Sequence, residues 1–124
     1  MTTEPRLPAF HPDDVAWTEL RGLAVSNAAF KTLVDEAYTG GAYGLELTRI
    51  GPGGRSPEHT EPWAHLFYVV SGEGALDVEG TRATLRTGTV CPISAGQRHS
   101  LVNTGADDLV MLVLYHPPRK RRDA

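Results

Sequence analysis

Four side chains able to ligate a metal, His59, Glu61, His65 and His99, stand in two short segments of this 124-residue chain. The first segment is His59-Thr60-Glu61-Pro62-Trp63-Ala64-His65, followed by Gly72, and the second runs from Gly88 through Gly96 to His99 and Asn103. Three of the five histidines of the chain are gathered there. Imidazole nitrogen and carboxylate oxygen together suit one divalent first-row ion, with Fe(II) or Mn(II) favoured and Ni, Co, Cu or Zn also compatible. The set has no thiolate, which argues against a closed structural zinc site. Four protein ligands on an octahedral ion would leave positions open for substrate, water or dioxygen.

These side chains need elements that bring them together. Residues two apart on a strand project to one face, so His59 and Glu61 are expected to point together. Pro62 disfavours a regular central strand, and a bend at Pro62-Trp63 would return His65 to the same side. His99 arrives from a separate strand after a turn at Gly96. Period two, the strand period, is the clearest pattern in the chain. Tyr43 to Ile50 alternates, His65 to Val70 is a β-prone run closed by a turn, and further strands are expected at Ala75 to Val78, Thr81 to Leu85, Gly88 to Ile93, His99 to Asn103 and Leu109 to Tyr115. Turns are expected at Gly51-Pro52-Gly53-Gly54, Ser71 to Gly74, Glu79-Gly80 and Gly105 to Asp107. Short strands with turns this frequent predict an all-β barrel or sandwich. Before Gly40 the pattern is ambiguous: Phe30, Leu33, Val34 and Ala37 make a helical stripe, while Phe30, Thr32 and Val34 also alternate.

Composition narrows the function classes. The hydrophobic share of 40% suits one domain with a real core, and 13 glycines with 9 prolines favour strands and turns over long helices. No apolar run is long enough to span a membrane, and Met1 to Pro5 has no signal pattern, so a cytoplasmic location is expected. The net charge of −3 gives no general attraction to nucleic acid. The basic run Arg119-Lys120-Arg121-Arg122 follows Pro117-Pro118 and reads as a solvated tail. Cys91 is the single cysteine, so it forms no intrachain disulfide, and it reads as a small buried hydrophobe. His116 reads as exposed, and His11 belongs to the leader. Gly51-Pro52-Gly53-Gly54 lacks the lysine and helix of a phosphate loop.

Taken together, the two segments resemble the motifs of the cupin superfamily. Gly53 or Gly54, His59, Glu61, His65 and Gly72 follow its first motif, and Gly88, Ser94, Gly96, His99 and Asn103 its second, with Ser94 in place of a proline. More narrowly, His59 to His65 is similar to the small bacterial cupins with an HxHPWEH motif, in which four histidines hold the metal. Here Glu61 takes the place of the second histidine, and His65 takes the glutamate position of the wider superfamily. The resemblance implies a double-stranded β-helix, or jelly-roll-like barrel, at 41–116, with an N-terminal extension at 1–40 packing on the barrel or a partner and a basic tail at 117–124. It also implies a homodimer.

The metal ligands implied are His59, Glu61, His65 and His99. Glu61 either completes the metal shell or serves as a catalytic base. Phe67, Leu101, Met111 and Tyr115 are expected in the pocket, with Leu45, Leu47, Val69 and Val113 as further inward candidates. A lining so apolar favours a small aromatic or enolisable substrate. Arg49, Arg55, Arg82 and Arg98 read as surface residues, with Arg98, next to His99, the candidate cation for the pocket mouth. The leading expectation is a mononuclear metal-dependent oxygenase. Metal-dependent isomerase, cyclase or lyase chemistry of the polyketide-cyclase type is the alternative, as is a metal-dependent binding module without turnover.

Overall fold

The computed structural model describes residues 8–21 and 26–118. The basic run from Arg119 to Arg122 lies outside the described residues. Nine strands form one curled sheet: β1 (Thr18–Glu19), β2 (Ser26–Val34), β3 (Gly44–His59), β4 (Ala64–Ser71), β5 (Gly74–Val78), β6 (Thr81–Leu85), β7 (Val90–Ile93), β8 (His99–Asn103) and β9 (Leu109–His116). Among the described residues every pairing is antiparallel, in the order β6-β5-β8-β3-β9-β4-β7, with β2 and β1 alongside β3. No described helix is long and apolar enough to cross a membrane.

The ambiguous N-terminal stretch resolves as a strand. Ser26–Val34 pairs with β3 and buries Ala28 and Phe30, and a single helical turn, α1 (Glu36–Thr39), follows it. Asp35 caps that turn by accepting from the Ala37 N–H, and Gly40 ends it in the left-handed conformation. Ahead of β1, Pro12 and Trp17 cover the outer face of the sheet beside Lys31. Lys31 Nζ donates to the Pro12 carbonyl at 2.8 Å and sits 4.6 Å from the centre of the Trp17 ring, with the Arg49 guanidinium 5.0 Å from it. This explains how Lys31, at 6% exposure, is buried on a face that would otherwise meet water.

Two expectations are corrected. Gly51-Pro52-Gly53-Gly54 does not reverse the chain. It is a bulged corner inside the long strand β3, whose first half pairs with β9 and whose second half pairs with β8. Gly54 is required there because a Cβ would stand 2.7 Å from the Ser26 carbonyl oxygen. The second correction concerns the inner face of β3. Glu46, Thr48 and Ile50 are buried, in phase with Val113, Met111 and Leu109 of β9, whereas Leu45 and Leu47 are half-buried on the opposite face. Hydrophobicity misassigns the faces because the barrel interior here carries polar groups, while the outer face is sheltered by neighbouring chain. The apolar floor of the interior is built from residues such as Ile50, Val69, Leu85, Leu109 and Met111, each 1% exposed or less.

Candidate metal centre

The expected strand alternation does not bring His59 and Glu61 together. β3 ends at His59, and Glu61 lies in the loop that leads to β4. That loop is held in place by the second segment, because the Gly96 N–H donates to the Glu61 carbonyl at 2.8 Å. The turn carrying Gly96 is closed by Gln97 N–H to the Ser94 carbonyl at 3.1 Å and by Ser94 N–H to Gln97 Oε1 at 2.9 Å. A proline at Ser94 could not donate the second bond, which accounts locally for the departure from the usual motif. His65 enters from β4 and His99 from β8, each on the buried phase of its strand.

The four expected ligands converge inside the barrel. Glu61 Oε1 is 3.1 Å from His59 Nε2, 3.8 Å from His65 Nε2 and 3.7 Å from His99 Nε2, and the two nitrogens of His65 and His99 are 3.2 Å apart. Ligand bonds of about 2.1 Å separate neighbouring donors by about 3.0 Å at right angles and about 3.4 Å at tetrahedral angles. The observed spacings fall around those values. Donor atoms of His59, Glu61 and His99 all lie within 4.8 Å of one another, so these three residues could hold a metal ion.

The imidazoles are also oriented. His59 Nδ1 meets the Pro57 carbonyl at 2.8 Å, His65 Nδ1 the Trp63 carbonyl at 3.2 Å and His99 Nδ1 the Gln97 carbonyl at 2.9 Å. A carbonyl only accepts, so each Nδ1 carries a proton and each ring turns its Nε2 to the shared centre. The Nε2 atoms of His65 and His99, 3.2 Å apart, are close enough to share a proton or a cation between them. On the carboxylate, Oε2 accepts from the Trp63 indole N–H at 2.9 Å, leaving Oε1 toward the imidazoles. Sequence reasoning assigned Trp63 only to the bend. Its position two residues from Glu61 is the signal for this second role.

Around this centre, the His65 ring lies edge-on to Phe67 at 5.3 Å and tilted against Tyr115 at 5.3 Å. Trp63 meets Tyr115 edge-on at 6.4 Å. Leu101 and Met111 belong to the core cluster, with Met111 two residues further along β4's register than Phe67's partner Val113. The His59 side chain is 32% exposed while those of His65 and His99 are 1% exposed, so the centre opens on the His59 side. Arg98 is exposed and faces Glu58 at 3.9 Å. Asn103 is a turn-former: it donates to the Ile50 and Asp107 carbonyls and accepts from the Gly105 N–H, each at 2.8 Å. His11 and His116 are exposed and stand apart from the centre.

The profile of the cupin domain family matches residues 46–115, more than half of the chain. The chain belongs to the cupin family. This cupin is similar to an oxalate-binding protein of Thermotoga maritima, at 35% identity over 49 residues, a match that covers 40% of each chain. It therefore spans less than half the length of that relative. Among solved structures, the cupin superposes on the polyketide cyclase RemF from Streptomyces resistomycificus with a TM-score of 0.82 at 22% identity, covering 94% of this chain and 83% of that one. A protein described as a predicted oxalate decarboxylase from Thermotoga maritima superposes with a TM-score of 0.80 at 21% identity, covering 88% and 98%. At these identities the likeness establishes the fold: a nearly all-β, curled antiparallel barrel in agreement with a double-stranded β-helix.

Proposed function

We propose that this cupin is a mononuclear metal-dependent enzyme acting on a small aromatic or enolisable molecule, with His59, Glu61, His65 and His99 around the metal. The observation that carries the reading is the shared orientation of the imidazoles. Three Nδ1–H groups are fixed by main-chain carbonyls, and three Nε2 atoms approach one carboxylate oxygen. Such an arrangement gathers three Nε2 atoms and one carboxylate oxygen around a single point, and it matches the way metal-binding histidines are usually supported.

A divalent ion held there supplies a positive centre that favours the enolate or phenolate form of a bound substrate and, if it is iron or manganese, one-electron chemistry with dioxygen. The protein's own residues do the rest. The Trp63 indole fixes the Glu61 carboxylate and leaves Oε1 as the atom able to ligate or to take a substrate proton. Phe67 and Tyr115 wall off water on the inner side. The open side at His59 is the route for substrate.

Oxygenase chemistry is the first reading, because a mixed histidine and carboxylate set suits Fe(II) or Mn(II). A second reading, non-redox cyclisation, isomerisation or lyase chemistry, is favoured by the superposition of nearly the whole chain on a polyketide cyclase. The cytoplasmic location and the homodimer belong to the same proposal.

The test is elemental analysis followed by oxygen uptake on metal-loaded protein. Iron or manganese with substrate-dependent oxygen consumption supports the oxygenase. Zinc with product formation and no oxygen consumption supports the second reading, and a full metal complement with no turnover of any enolisable or phenolic substrate leaves a binding module.

A further inference from the structure

We infer that the outer face of strands β9, β4 and β7 is the surface through which two copies of this chain pair, sheet against sheet. The inference rests on the proposed homodimer and deepens it by naming the interface. Leu114, Leu66 and Pro92 pair across the three strands, and two residues further along Leu112, Tyr68 and Val90 do the same. The row between them, Val113, Phe67 and Cys91, is buried in the barrel, so both flanking rows face outward. Each row continues onto β3, at Leu45 and Leu47. Tyr68 is 44% exposed and Val90 57%.

The strands β5, β6 and β8 show how this chain finishes a face that meets water. Asp77 pairs with Ser100 on one side and Arg82 on the other, in a row beside the buried Leu76 and Leu101, and Arg82 donates to Asp77 at 3.2 Å. The rows on β9, β4 and β7 carry no charged residue at all. Among the described residues, the N-terminal segment shelters the sheet on the β2 and β3 side, where Trp17 lies against Lys31 and Arg49. Tyr68, Val70 and Val90 stay exposed beyond it.

A second copy fits this face. A twofold interface must be complementary to itself, and rows without charge set no like charges against one another. Two sheets pack face to face about 10 Å apart through interdigitating apolar side chains, which these rows supply. Joining edge to edge is disfavoured, because the edge strand β7 carries Pro92, which has no N–H to offer a neighbouring strand. The size is also suitable. β4 and β9 are each eight residues long. With strands about 4.8 Å apart and a rise of about 3.4 Å per residue, the four strands give a footprint of about 500 Å² in projection. Corrugated side chains and a rim bring the accessible area toward the about 600–800 Å² per partner of a specific interface. His59, on whose side the metal centre opens, pairs with His99 on β8 and is not part of the face.

Sedimentation equilibrium of the full chain across about 1 to 100 μM tests this, with melting temperature and metal content measured on the same samples. The wild type is expected to form a dimer, and Tyr68→Glu to raise its dissociation constant by about 30-fold or more. Val90→Glu, at the more exposed of the two positions, should act in the same direction, so the inference stays testable if Tyr68→Glu does not fold. Arg82→Ala, on the polar face, should leave the association unchanged. A dimer unmoved by the folded Tyr68 and Val90 variants, or weakened equally by Arg82→Ala, would overturn this face and leave the homodimer standing. A wild-type monomer throughout the range would overturn the homodimer, and the face with it.

Discussion

The Trp63 indole donates to Glu61 Oε2 at 2.9 Å while Oε1 faces three imidazoles. Trp63→Phe keeps a ring against Tyr115 but removes the donor, so on the proposed site it should weaken metal binding by about tenfold or more. Competition against a chromophoric chelator measures this, and an unchanged affinity would remove Trp63 from the support of the site. Cys91 gives a prediction of another kind. It is buried opposite Phe67 on β7, and burial pushes its thiol up from the ordinary range of about 8.5. The core holds the neutral form. Its contribution to stability is therefore full below the ordinary thiol range and is lost as pH rises through the raised folded value, where the unfolded chain ionises first. The stability difference between wild type and Cys91→Ala, from urea unfolding, should shrink between neutral pH and about pH 10, and the native thiol should resist alkylation at pH 7. A constant difference would contradict the assignment. At this scale the sequence shows the ligand types and their spacing plainly. It does not show that Glu61 leaves the strand, because a loop placed by Gly96 on a distant segment has no local signature.

At the scale of elements, β3 decides the shape of the barrel. Its corner at Gly51–Gly54 lets one strand pair with β9 in its first half and β8 in its second. Gly54→Ala would set a Cβ 2.7 Å from the Ser26 carbonyl and 2.8 Å from Ile50 Cγ2, and should cost about 1–3 kcal/mol by urea unfolding. Wild-type stability in that variant would mean the corner is not close-packed. Most strands are legible from β-prone runs bounded by turn signals: β4, β5, β6, β8 and β9 fall within a residue or two of their expected limits. The corner is not, since a Gly-Pro-Gly-Gly run signals a reversal and a bulge equally well. Nor is the inward face of Gly44–Ile50, where Glu46 and Thr48 turn in and Leu45 and Leu47 turn out. Alternation gives the period of a strand, and only the contents of the barrel give its phase. In Ser26–Val34 the pairing partner β3 settles the choice between strand and helix, a long-range contact that local pattern cannot carry.

For the whole molecule, metal binding and folding are linked. The proposed ligands come from β3, the following loop, β4 and β8, so an ion bound only by the folded chain stabilises it by about 4 kcal/mol at a free concentration 1,000 times its dissociation constant. Removing the metal with EDTA should lower the melting temperature by several degrees, and adding metal back should restore it; a melting temperature indifferent to metal would separate the ion from the fold. The proposed homodimer predicts a sedimenting species of about twice the mass of the chain, and a monomer at micromolar concentration would contradict it. The most direct test of the central claim is the metal content of protein purified without chelators, measured beside His99→Ala. His99 is 1% exposed and its Nε2 lies 3.2 Å from that of His65, so the account predicts about one transition-metal ion per chain in the wild type and loss of most of it in a still-folded variant. Equal metal in the two proteins, or none in the wild type after reconstitution, would contradict it.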